Sequence, residues 1–259
     1  MLRRWLPRRL AHGEEATLVE HLDELRSRLL ISLFAIVPAF LLCFAFHEQI
    51  IKWLTGPLPA GKRLVTFGVT EPFTTSVKVS LIAALALVIP VLLWQFWSFF
   101  APAFEDHTQR IVFVFVLLAT ALFASGVLFM YYVALPRALE FLTTYDDNLY
   151  DIQIRASYYY SFVALVLFGG GLAFEMPIFV LALVRLRVLS STRLRKNRRI
   201  AFVLLLCFAI LLPTVDPVSL AFEFIPLVLL FELSIWLSVL MERRWQRAWD
   251  DDLAEAGIP

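Results

Sequence analysis

The chain has 259 residues, 60% of them hydrophobic, and a mean hydropathy of +0.77, far more apolar surface than a soluble domain of this length could cover, so it is read as an integral membrane protein. The net charge of +1 leaves no basic excess of the kind that binds nucleic acid, but it conceals an uneven layout that bears on membrane orientation. The apolar segments are long and continuous rather than alternating, which favours an all-α bundle over a barrel, because each lipid-exposed span must satisfy its own backbone polar groups.

The first 28 residues form a cytoplasmic segment. Arginines precede a hydrophobic run as in a secretory signal, but Glu14, Glu15, Glu20, Asp23 and Glu24 interrupt the polar stretch and no small-residue cleavage site follows, so the segment is expected to be retained. Leu18, Leu22, Leu25 and Leu29 recur at three- and four-residue spacing, the stripe of a helix lying along the membrane interface before the first span. Glu24 lies off that stripe. It either pairs with Arg28 one turn on, worth a few tenths of a kcal/mol, or serves a ligand.

Runs near the roughly 20 residues needed to cross about 30 Å of hydrocarbon place six spans within a bundle at 29–240: 29–47, 77–100, 111–133, 158–184, 200–213 and 218–240. Residues 241–259 follow as a tail. The fifth run, about 14 residues or roughly 21 Å, is short for an ordinary bilayer and calls for shelter by its neighbours or local thinning. Seventeen basic residues fall on one side: six arginines in the first segment, Arg110, seven residues in the loop 185–199 and three in the tail. The opposite loops hold only Lys52, Lys62, Arg63, Arg137 and Arg155, with Lys78 at the mouth of the second span. The first side is therefore cytoplasmic, and an even span count puts both termini there.

Pro38, Pro90, Pro177 and Pro226 lie in or near spans and predict bent helices. Gly169, Gly170 and Gly171 allow close internal packing or a bend in the fourth span. Cys43 and Cys207 sit within apolar runs and are read as small packing residues. The four histidines lack the spacing of a metal site, no serine or cysteine is paired with a base, and no phosphate-binding loop is present, so the chain is read as neither an enzyme nor a cofactor carrier.

Glu175 lies about ten residues, roughly 15 Å of helix, from Arg185 at the cytoplasmic edge, which puts a carboxyl group near mid-membrane. Such a group costs at least about 2.5–3.5 kcal/mol unless protonated, paired or hydrated, so it is either a functional acid or a protonated group bonded inside the bundle. Glu232, deep in the sixth span, is expected to share that environment, with Glu223 nearer the outer edge.

Several motifs in one order resemble the TatC family, the membrane receptor subunit of the twin-arginine protein translocase. They run through His21-Leu22-Asp23-Glu24-Leu25-Arg26-Ser27-Arg28-Leu29, Glu71-Pro72-Phe73 with Lys78, and Pro90 with Gln95-Phe96-Trp97-Ser98-Phe99-Phe100-Ala101-Pro102. They continue in Phe174-Glu175-Met176-Pro177, Arg198-Arg199, Asp216 with Ser219, Ile225-Pro226-Leu227 and Phe231-Glu232. The resemblance implies a bent, glove-like bundle of six helices in a prokaryotic inner membrane. It implies binding of the twin-arginine signal peptides of folded cargo at the cytoplasmic face, hetero-oligomeric assembly with TatA-like and TatB-like single-span proteins, and transport driven by the proton-motive force.

Consecutive arginines of an extended peptide point to opposite faces, so two separate acidic sites are wanted, each able to pair bidentately with a guanidinium. By resemblance, Glu24 takes one arginine, with Arg26 in the same motif and Phe99 packing against the peptide or belonging to the interfacial aromatic belt. The family's loop glutamate aligns with Thr108, a departure for which Glu105 or Asp106 is expected to substitute. Glu175 is the buried acid expected to meet a polar group on a TatA-like helix. Asp216, Leu220 and Glu232 complete the expected partner contacts, with Leu220 standing where many members carry glutamine. A proton-coupled solute transporter using Glu175 and Glu232 and a purely structural scaffold are the rival readings, although no internal repeat of the transporter kind is visible.

Overall fold

A computed structural model of the chain describes residues 18–100, 108–150, 152–186, 188–211 and 216–255. Helix α1 (Leu18–Ala45) is one continuous helix, because no glycine or proline interrupts it before Pro38. Residues 18–28 are thus the first turns of the spanning helix itself, where the sequence suggests a separate interfacial helix.

The short helix α2 (His47–Leu54) follows, outside the long apolar runs. A helix end leaves its last carbonyls without intrahelical donors, and here tyrosines from distant elements supply them. Tyr131 Oη donates to the Trp53 carbonyl (2.8 Å) and Tyr159 Oη to the Leu54 carbonyl (2.9 Å), while Thr55 Oγ1 lies 3.0 Å from Tyr160 Oη. The Trp53 and Tyr131 rings stack at 4.1 Å, nearly parallel.

Helices α3 (Glu71–Leu87) and α4 (Ile89–Phe100) meet at a 49° bend at Val88, because Pro90 has no N–H to continue the ladder. Helix α5 (Thr108–Phe129) widens into a π-helical turn over Met130–Ala134 before α6 (Leu135–Thr144), whose second residue is Pro136. The chain then forms β2 (Ile154–Arg155), paired in parallel with β1 (Leu64–Val65), a two-residue ladder that ties the loop after α2 to the head of the next helix. Helices α7 (Ala156–Phe174) and α8 (Met176–Arg185) are divided at Glu175, two residues ahead of Pro177. The chain closes with α9 (Ser191–Lys196), α10 (Arg198–Leu211) and the long α11 (Pro217–Glu255).

Among the described residues, four stretches are long and apolar enough to cross a membrane: Leu22–Ala45, Phe113–Thr144, Ala156–Arg185 and Pro217–Glu242. The bent α3 and α4 pair makes a fifth. Helix α10, at 14 residues, is shorter than a full span, matching the shortness expected for the fifth run.

The α7–α8 stretch is the most enclosed of these and forms the centre of the bundle. One core cluster joins Leu54, Val79, Met130, Leu135, Tyr159, Val163 and Val166 near the α2 end, and a second joins Ile89, Leu93, Trp97, Val116, Phe123 and Ile178. Close packing is the role the glycines take. A Cβ at Gly126 of α5 would lie 2.8 Å from Phe174 Cβ and 3.0 Å from the Gly170 carbonyl, and one at Gly171 would lie 2.7 Å from the Phe123 ring. By contrast α1 exposes Leu29, Leu33, Phe34, Leu41 and Leu42, an apolar surface suited to lipid.

Candidate functional site

Glu24 stands on the second turn of α1, half-buried, and is joined to Arg28 one turn on, as one of the two sequence readings holds. The Arg28 Nε donates to Glu24 Oε1 at 3.1 Å and its Nη2 donates to the same oxygen. The remaining amino group, Nη1, donates to the Gln95 carbonyl of α4 at 3.3 Å. The α1 acid is thereby held beside the last turns of α4, where Phe99 is half-buried. Arg26, on the other face of α1, is exposed. Trp97, buried between the Phe115 and Phe179 rings at 5.3 and 5.4 Å, anchors this end of α4 in the second core cluster. Glu105 and Asp106 lie outside the described residues, and Thr108 is the first residue of α5.

Glu175 occupies the turn between α7 and α8, where Pro177 prevents a continuous helix. Its carbonyl accepts from the Ile178 and Phe179 N–H groups. Its side chain is 1% exposed, and Oε1 has no hydrogen-bond partner among the described residues. Leu220 of α11 packs against a small cluster of Ala173, Ala209 and Leu227 that draws α7, α10 and α11 together, and Ala173 lies two residues ahead of Glu175. Asp216 stands immediately ahead of α11 and caps it, Oδ1 accepting from the Ser219 N–H at 2.7 Å.

Glu232 does not share the environment of Glu175. It accepts from Arg198 Nη2 at 2.8 Å, and both side chains are partly exposed. Arg198 opens α10, so the pair marks the basic end of that helix. A carboxylate within reach of a guanidinium at a helix end takes the charged partner in preference to an apolar interior.

Sequence reasoning assigned no role to Glu71, although its motif was visible. The structure makes it the hub of the opposite end of the bundle. Oε1 accepts from Arg155 Nε (3.0 Å) and the Ser157 N–H (3.1 Å), and Oε2 accepts from the Phe67 N–H (3.0 Å) and Gly68 N–H (3.3 Å). The hydrogen bond to Glu71, the largest influence on Arg155, raises that guanidinium above its ordinary range against a smaller opposing effect of burial. Arg155 also lies 5.2 Å from the Tyr158 ring and 6.0 Å from that of Phe67. Glu71 and Arg155 are 84 residues apart, and only the mixture of an acid at a helix start with a lone arginine in a facing loop hinted at the pair.

Residues 20–226 match the family model described as Sec-independent protein translocase protein (TatC). The chain is 34% identical over 236 residues to the Sec-independent protein translocase protein TatC of Magnetococcus marinus, covering 89% of this chain and 87% of that protein. It is 33% identical over 234 residues to TatCd of Bacillus subtilis, covering 90% and 96%. A crystal structure of the twin-arginine translocase receptor TatC superposes with a TM-score of 0.77 at 33% identity, covering 84% of this chain and 99% of that one. With more than half of the chain matched by the family model and full-length relatives above 30% identity, the chain belongs to the TatC family of Sec-independent protein translocase proteins.

Proposed function

We propose that the chain is the signal-peptide receptor of a twin-arginine translocase, a multi-pass protein of the bacterial inner membrane that serves as a component of a protein-translocation complex. The observation that carries this reading is the setting of Glu24: a carboxylate on an otherwise arginine-rich membrane face, fixed through Arg28 to the Gln95 carbonyl and so set beside the end of α4. The segment that follows α4 carries Glu105 and Asp106, which gives a second acidic position for the second arginine of an extended peptide. In this reading α10 completes a six-span bundle in a thinned bilayer, and both termini are cytoplasmic.

The buried Glu175 and the adjoining cluster of Ala173, Ala209, Leu220 and Leu227 form the docking region for TatA-like and TatB-like single-span partners. A carboxyl oxygen without a partner among the described residues supports a contact made only in the assembly. The role is recognition and assembly, with transport energy drawn from the proton-motive force.

The test is binding of a twin-arginine signal peptide and its twin-lysine variant to the purified chain, alongside Glu24→Ala and a Glu105→Ala/Asp106→Ala double variant. Arginine-selective binding that falls at least about tenfold in each variant, as loss of a charge-assisted bidentate pair requires, supports the receptor. Equal binding of both peptides by the wild type refutes it.

A further inference from the structure

Between Glu175 and Asp216 the chain carries no acidic residue, while residues 185–199 hold seven cations. Two carboxylates of α11 reach this segment without neutralising it. Glu232 is joined to Arg198, and Glu242 accepts from the Ser191 N–H at 3.1 Å. Arg193, Arg195, Lys196 and Arg199 are exposed and have no ion pair among the described residues. They stand on ordered backbone, since Ser190 Oγ caps α9 by accepting from the Arg193 N–H and Glu242 ties the same turn to α11. Like charges held this close raise a local positive potential that favours a polyanionic group over a single carboxylate.

The surface directly beyond the cations decides which anion fits. Helix α10 packs on α11 through Phe202, whose ring lies 6.0 Å from that of Phe231, and through Leu205 and Ala209 in the cluster with Leu227. The faces turned away from α11 are apolar and exposed. Arg199, Val203, Leu206 and Ile210 follow at four-, three- and four-residue spacing, so a stripe runs from a cation down about 16 Å of helix. Ile200, Leu204 and Leu211 make a parallel exposed stripe beside it. The stripe length is about half of the roughly 30 Å hydrocarbon thickness, the depth of one leaflet. A small soluble anion would use the cations and leave both stripes bare, whereas a two-chain lipid uses all of it. We propose that α9 and the start of α10 form a binding site for an anionic phospholipid, with the headgroup phosphate on Arg195, Lys196 and Arg199 and the acyl chains along the two stripes of α10. The site uses none of the acids assigned to the signal peptide, so it stands or falls apart from the receptor reading.

Phosphate oxygens accept several charge-assisted hydrogen bonds at once from guanidinium and ammonium groups. A zwitterionic lipid brings the same phosphate with its own cation attached and gains less from the cluster. The lipid also answers the shortness of α10. A phosphate held at Arg199 pins the leaflet surface to the first turn of a 14-residue helix, which fixes where the bilayer thins.

The experiment is native mass spectrometry of the purified full-length protein in a neutral detergent, titrated with dioleoylphosphatidylglycerol, dioleoylphosphatidylcholine or glycerol phosphate. Each cation near an anionic membrane surface strengthens binding by about fivefold. The wild type should therefore hold phosphatidylglycerol at least about tenfold more tightly than phosphatidylcholine, and glycerol phosphate only weakly. Arg195→Gln/Lys196→Gln/Arg199→Gln should lose at least about tenfold in phosphatidylglycerol affinity with phosphatidylcholine binding unchanged. Lys52→Gln/Lys62→Gln/Arg63→Gln, which removes the same charge from the opposite loops, should lose less than about twofold. Val203→Ser/Ile210→Ser should weaken both lipids together. Thermal midpoints in detergent alone confirm that each variant is folded; if the first triple variant is not, Arg199→Gln replaces it, with a loss of about fivefold expected. Unchanged phosphatidylglycerol affinity on removing Arg195, Lys196 and Arg199 overturns the proposal. So does an equal loss in the two triple variants, which would make net charge the cause, and so does wild-type binding of glycerol phosphate as tight as that of the lipid.

Discussion

Gly126→Ala tests the claim that α5 and α7 touch through their backbones. Replacing a helical glycine with alanine ordinarily stabilises by about 1 kcal/mol, through propensity alone. Here the added methyl would sit 2.8 Å from the Cβ and Cγ of Phe174 and 3.0 Å from the Gly170 carbonyl oxygen. No rotamer moves the Cβ of Phe174 or a main-chain oxygen, so the two helices must separate by several tenths of an ångström, at an overpacking cost of about 1–3 kcal/mol. The separation also loosens neighbouring contacts that depend on the same approach, including the Phe123 ring against Gly171. The expected net effect is a loss of about 1 kcal/mol or more. For a chain of this size that corresponds to a fall of roughly 2–4 °C per kcal/mol in the thermal midpoint.

The assay is tryptophan fluorescence of the purified protein in one detergent at one scan rate, which controls for irreversibility on heating. Ser125→Ala, the adjacent exposed position on α5, is the control and should change the midpoint little. A Gly126→Ala protein at or above the wild-type midpoint would refute the close approach of α5 and α7.

Tyr159→Phe removes the donor to the Leu54 carbonyl and leaves that buried group unpaired, so the midpoint should reflect a loss of about 1–2 kcal/mol in the same heating assay. Glu71→Gln keeps one acceptor oxygen for the four donors that converge there, whereas Glu71→Ala keeps none. Thermal midpoints should rank wild type, then Gln, then Ala, and equal midpoints would show the hub to be dispensable. Glu175→Gln should retain part of the export of a twin-arginine reporter in cells, through a neutral hydrogen bond, while Glu175→Ala should lose more; identical export by both variants and the wild type would contradict a partner contact at that carboxyl.

Four of the expected spans, and a fifth as the bent α3–α4 pair, coincide with long apolar helices among the described residues, because apolar runs of that length have few other uses; Pro90 and Pro177 stand just after the breaks at Val88 and Glu175, whereas Pro38 and Pro226 lie inside the continuous helices α1 and α11. Local pairs were equally accessible: Glu24 and Arg28 are four residues apart on a helix, where their meeting follows from geometry. The features that escaped join distant segments. Glu71 meets Arg155 across 84 residues, Glu232 meets Arg198 across 34, and Gly126 meets the triple-glycine helix, and no periodicity encodes such encounters. Glu232 shows the consequence. Its depth, counted along one helix, suggested a neighbour for Glu175, but the residue it meets is Arg198 at the start of α10. The π-helical turn at Met130–Ala134, from which Tyr131 reaches the Trp53 carbonyl, was likewise invisible, since no periodicity in the sequence marks it.

Helix α11 runs for 39 residues without interruption, about 58 Å at 1.5 Å per residue and nearly twice the hydrocarbon thickness. A rod of that length works as a lever. Pro226, whose missing N–H removes one bond of the ladder, would serve as its pivot, and about 44 Å of helix extends from there to Glu255. A change of about 10° at the pivot carries the far end through roughly 8 Å, by the helical rise alone. Glu242, which accepts from the Ser191 N–H, couples the lever arm to α9. A small rearrangement of α11 within the bundle would therefore be reported as a large displacement beyond it.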